Sequence, residues 1–99
     1  MKLLAIYDIT SDRLRTEAAE VCKDFGLSRI QLSCFAGDLS QNRRGMLEIR
    51  LARLLQLKDA QPTDAIYVLP MCLDCFRGKV LLGRQARFPD KGRDLMEML

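Results

Sequence analysis

The chain has 99 residues, a net charge of +3 and no histidine, and 48% of its residues are apolar. This length fits one domain, and the apolar share argues against disorder. The missing histidine excludes His-based nucleases, His-ligated zinc enzymes and Ser-His-Asp hydrolases, so any chemistry must use carboxylates, hydroxyls, thiols, Arg, Lys or a metal.

A domain this small leaves much of its apolar surface uncovered, which favours oligomers. Only five apolar residues separate Lys2 from Asp8, too few for a signal-peptide core, and no run is long enough for a membrane span. We therefore expect a cytoplasmic protein, with no membrane partner and with reduced thiols.

In chain order, residues 2–8 form a nearly continuous apolar run and read as a buried strand. Thr10, Ser11 and Asp12 follow as N-cap candidates. Leu14, Ala18, Val21, Cys22 and Phe25 then recur on one helical face, and Gly26 suits the left-handed position past the helix end. Residues 27–39 alternate like strand, either one bent strand or a tight hairpin, with Gly37 as bulge or turn. Ser40 to Asn42 cap a second helix whose buried stripe is Leu47, Leu51, Leu54 and Leu55; Gly45 weakens its first turn. Residues 59–64 are a loop, and 65–70 a buried strand ended by Pro70. The C-L-D-C stretch reads as a turn, and 79–83 as a short last strand. The order β-α-β-β-α-β with that extra strand gives an α+β, ferredoxin-like sandwich. It spans residues 1–83, and 84–99 form a basic tail, partly disordered or used for partner docking.

Asp8 is the main candidate for chemistry. A carboxylate at a strand's C-terminal end can hold a hard cation or meet a ligand at the sheet edge. Turn or capping duty is the alternative, but three better caps follow. Asp12 and Asp38 read as structural. Arg15 and Arg29 are candidate phosphate contacts near the end of the first strand. Phe35 either stacks a base or sits in the core. Positive charge gathers in two stretches. Arg43, Arg44, Arg50, Arg53 and Lys58 face Glu48 alone. Arg77, Lys79, Arg84, Arg87, Lys91 and Arg93 face Asp90 alone. These are either a nucleic-acid footprint or a solvated face. Cys72 and Cys75 supply two thiols where tetrahedral zinc needs four ligands, and they read as small buried residues plus a turn. Cys22 and Cys34 fall on core faces.

"LLAIYDIT" before a capped helix, "GLSRIQLSCFAGDLS", a basic helix, "AIYVLPMCLDC" and "KVLLG" together resemble the Cas2 family of small CRISPR adaptation subunits, over about residues 2–83. The resemblance implies a ferredoxin-like homodimer with Asp8 as catalytic residue and Mg²⁺ ligand, Mn²⁺ being the alternative ion. Both Asp8 copies would lie near the two-fold axis. Arg15, Arg29, Ser33 and Phe35 fall where the family has site-lining residues, and Glu17 stands where some members carry a second basic residue. The family further implies spacer acquisition, in which the dimer binds DNA or RNA and bridges a larger CRISPR integrase subunit. The expected activity is a metal-dependent endonuclease acting on phosphodiester bonds, weak or conditional because one Asp per chain is a poor magnesium site. A toxin-like ribonuclease of the same fold and a non-catalytic scaffold are the alternatives.

Overall fold

The computed structural model describes residues 1–80 and 82–83. The elements are β1 (Lys2–Asp8), α1 (Asp12–Asp24), β2 (Ser28–Gln31), β3 (Cys34–Asp38), α2 (Gln41–Leu54), β4 (Ala65–Met71) and α3 (Leu73–Arg77). The four strands form one sheet in the order β2-β3-β1-β4, with every neighbouring pair antiparallel. This is the ferredoxin-like arrangement.

Strand pleating decides what faces the helices. Leu3, Ala5 and Tyr7 of β1 are buried, while Leu4 and Ile6 between them are only half-covered. Successive side chains point to opposite faces, so the odd positions meet α1 and α2 and the even positions form an open face. Leu14, Ala18, Val21 and Cys22 of α1 and Leu47, Leu51 and Leu54 of α2 complete the core.

The helix starts follow local chemistry. The Ser11 hydroxyl accepts from the Leu14 N–H at 3.2 Å, and the Ser40 hydroxyl accepts from the Arg43 N–H at 3.1 Å. Each satisfies a donor that the first turn leaves without a partner. Past α1 the chain turns at Gly26, whose φ of +85° disfavours a side chain.

Residues 28–38 make a hairpin, with Leu32 and Ser33 between its strands and a bulge between Arg29 and Gln31. Gly37 is neither bulge nor turn. It lies within β3, where Leu27 packs so close that a Cβ would sit 2.6 Å from its Cδ2, which favours a residue without one. β4 does not end at Pro70 but continues to Met71, and a strand at the sheet edge tolerates the missing N–H.

The largest departure lies after β4. In place of a turn there is α3, fixed by the buried Phe76. The expected strand over 79–83 is absent among the described residues of that stretch, and Leu81 lies outside them. Val80 and Leu82 are 75% and 84% exposed, and neither belongs to a strand of the sheet. The expected tail, 84–99, also lies outside the described residues. Among those described, no helix is long and apolar enough to cross a membrane.

Candidate functional site

Asp8 is the last residue of β1 and is exposed. It pairs in register with Ala65 of β4. Pleating puts it on the open face, on the side of Leu4 and Ile6. The duties that would explain it otherwise are filled by other residues. Ser11 caps α1. Asp64 ties down the loop after β1, accepting from the N–H and the hydroxyl of Thr10 at 3.1 Å each. Among the described residues the Asp8 carboxylate has no hydrogen bond or ion pair. Asp12, Asp24, Asp38 and Asp59 all have cationic partners.

Arg15 and Arg29 meet at a cleft of about 540 Å³, lined also by Tyr7, Asp12, Thr16, Leu32 and Ser33. Arg15 donates to the carbonyls of Ile9 and Thr10 at 2.9 and 3.1 Å and pairs with Asp12. It therefore braces the loop that follows Asp8. The Ser33 carbonyl accepts the Tyr7 N–H at 2.9 Å, and the Tyr7 hydroxyl donates to the Leu32 carbonyl at 3.2 Å. Burial pushes the Tyr7 phenol above its ordinary value, and Arg29 opposes this. The cleft opens on the helix side of the sheet, and Asp8 is not in its wall.

Phe35 is not a surface platform. Its ring is fully buried, 6.3 Å from the Tyr7 ring centroid, with the Arg29 guanidinium 5.2 Å from its own. The expectation that Phe35 stacks a base is corrected, since position 35 pairs with Ala5 on the core face of the sheet.

The α2 arginines differ among themselves. Arg43 and Arg50 lie 5.0 and 5.5 Å from the Phe25 ring centroid, and Arg50 also reaches Asp24 at 3.4 Å. Arg44 is neutralised by Glu48 at 2.7 Å. Arg53 is exposed near the helix end. Glu17 pairs with Arg13 at 3.5 Å.

Within the chain the predicted residues thus form three groups: Asp8 on the open face, Arg15, Arg29 and Ser33 at the cleft, and the arginines of α2. Sequence reasoning missed Asp64. Its signal was an Asp in the short loop before a strand that begins beside the first strand's exit. Among the described residues no three Asp, Glu, Cys or His side chains cluster to hold a metal. Asp8 offers a single carboxylate, which suits Mg²⁺ or Mn²⁺ in type but not in number.

A family model described as "CRISPR associated protein Cas2" matches residues 1–79. The chain belongs to the Cas2 family. It is 47% identical over 73 residues to a CRISPR-associated endoribonuclease Cas2 of Korarchaeum cryptofilum, covering 73% of each chain. It is 36% identical over 56 residues to a Cas1/Cas2 endonuclease fusion of Thermoproteus tenax, covering 57% of this chain and 21% of the fusion. The solved structure of Streptococcus pyogenes Cas2 superposes with a TM-score of 0.68 at 23% identity, covering 84% of this chain and 100% of that one. That likeness concerns the fold.

Proposed function

We propose that this chain is a homodimeric, nucleic-acid-binding subunit of CRISPR spacer acquisition that cleaves phosphodiester bonds with Asp8 as metal ligand. The observation that carries this reading is the exposed Asp8 carboxylate, which has no partner among the described residues. A free carboxylate at the end of a central strand has no structural task there, and a hard cation is its natural partner. When bound, the ion supplies Lewis-acid stabilisation of the phosphate and a more acidic water.

The dimer follows from the thinness of a one-carboxylate site. On the open face Leu4 lies opposite Leu69, Ile6 opposite Tyr67 and Asp8 opposite Ala65. Tyr67 and Leu69 are 52% and 44% exposed. An isologous dimer over this row would cover the apolar surface and bring two Asp8 carboxylates to one interface. Arg15 then acts as a positioning residue through the loop after Asp8, while Arg29, Ser33 and the α2 arginines offer backbone-phosphate contacts. A larger integrase partner is supported by the fused relative.

The test is cleavage of RNA and of duplex DNA with and without Mg²⁺, comparing wild type with Asp8→Asn. Loss of cleavage in the variant is expected, and equal rates would refute the catalytic reading. The name of the Korarchaeum relative favours RNA. The fused relative favours a scaffold role, which predicts integrase binding that survives Asp8→Asn.

A further inference from the structure

We propose that Cys72 and Cys75 form a thiol–disulfide exchange site, which a small-molecule disulfide of the glutathione class converts to an intramolecular disulfide. The four cysteines divide sharply. Cys22 is fully buried and Cys34 is half-buried, whereas Cys72 and Cys75 are both exposed. The expectation that the C-x-x-C pair is buried is thereby overturned, and burial no longer explains it.

The exposed pair has an arrangement suited to exchange. Cys72 is the N-cap residue of α3, and Cys75 lies one turn on, three residues away. Residues at that spacing are neighbours on a helical turn. The Cys75 N–H donates to Cys72 Sγ at 3.3 Å, so the second cysteine's backbone already holds the first cysteine's sulfur. Phe76, the next residue, is buried with the Lys2 ammonium 4.8 Å from its ring centroid. It fixes the turn to the sheet while leaving both sulfurs outside.

The two thiols also differ in acidity. Hydrogen bonds from Cys75 lower Cys72 below the ordinary thiol value, and interaction with Cys72 raises Cys75. Cys72 is therefore the attacking thiolate and Cys75 the resolving thiol. By contrast, burial pushes Cys22 up to about 12, which keeps it inert. In the first step Cys72 Sγ attacks one sulfur of the small disulfide, and the departing thiolate takes up a proton. In the second, Cys75 loses its proton and attacks Cys72 Sγ, releasing the other small thiol. Two protein thiols are oxidised to a disulfide, and one small disulfide is reduced to two thiols.

Zinc is the competing use of such a pair, but a tetrahedral structural site takes four ligands, and the described residues offer no group of three. The pair also lies past the Met71 end of β4, whereas Asp8 pairs with Ala65 at the other end. The proposal therefore stands apart from the cleavage reading.

The test uses the full chain equilibrated in buffers of varied oxidised-to-reduced glutathione ratio, acid-quenched, alkylated under denaturing conditions and weighed intact. Reducing buffers should give four labels and oxidising buffers two, with peptide mapping placing the lost pair at Cys72 and Cys75. Cys75→Ser should trap one glutathione adduct on Cys72, and Cys72→Ser should abolish both adduct and disulfide. Serine is a good N-cap, so the second variant keeps the turn. Four labels at every ratio, disulfides between two copies, an adduct on Cys75 in Cys72→Ser, or stoichiometric zinc protecting both thiols in freshly purified protein would each overturn the proposal.

Discussion

Thr10 and Asp64 join the end of the first strand to the beginning of the last. The backbone N–H and the hydroxyl of Thr10 both donate to Asp64 Oδ1, while Oδ2 accepts the Gln61 N–H at 2.9 Å. These bonds, that from Gln61 foremost, hold the Asp64 carboxyl below its ordinary value. A carboxyl with a lowered folded pKa stabilises the fold above its ordinary value of 3.8, and the benefit fades as pH falls through the lowered one. Asp38, lowered chiefly by its bond from the Met1 ammonium, behaves in the same way. Asp64→Ala should therefore lower the melting temperature at pH 7 and flatten its decline below pH 4. Amide exchange at Thr10 and Gln61 should accelerate, and unchanged exchange would show the clasp to be idle.

Core and cap contributions should separate in urea titrations. Leu47 is fully buried between helix and sheet, and Leu47→Ala should cost about 2–5 kcal/mol. Ser11→Ala removes the cap on the Leu14 N–H and should cost about 1 kcal/mol. Asp8→Asn, which removes no contact among the described residues, should stay within about 0.5 kcal/mol of wild type.

The apolar row on the open face makes an oligomeric prediction. Leu69→Glu places a charge among Leu4, Ile6 and Tyr67 on a face exposed in the single protomer. It should leave the monomer folded and shift sedimentation equilibrium toward it. A dimer of unchanged affinity would move the interface elsewhere.

Nucleic-acid binding should depend unequally on α2. Arg53→Ala and Arg43→Ala should each reduce the slope of log affinity against log salt by about 1. Arg44→Ala should change it less, because Glu48 already neutralises Arg44. Fluorescence anisotropy across a salt series measures the slopes, and equal slopes for all three variants would contradict the assignment.

The local signals in the sequence carried most of the fold. Ser11 and Ser40 cap the expected helices, Gly26 takes the left-handed turn, and the Leu47-Leu51-Leu54 stripe is buried. What failed depended on competition between segments. Val80 and Leu82 after Gly78 have strand composition, but both are exposed and neither joins a strand of the sheet, and the buried Phe76 sets a short helix where a turn was expected. The face of Asp8 was hidden for a related reason. Leu4 and Ile6 are as apolar as Leu3 and Ala5, so the pleat leaves no polar alternation in β1. Counting by twos from the buried Tyr7 would have set Asp8 on the opposite face from the Arg15 cleft. The exposure of Cys72 and Cys75 could not be read at all, because it follows from a helix that the residues "CLDC" do not announce.

The strand order has a consequence for synthesis. β1 is made first, yet its two neighbours, β3 and β4, are completed only at Asp38 and Met71. While the ribosome works through the residues between, the Leu3–Tyr7 segment has one edge open even after β3 has joined it. Such pairings across long sequence separations form slowly and expose strand edges meanwhile. The stretch that ends in the Asp8 carboxylate is thus the part of the nascent chain longest in need of shelter.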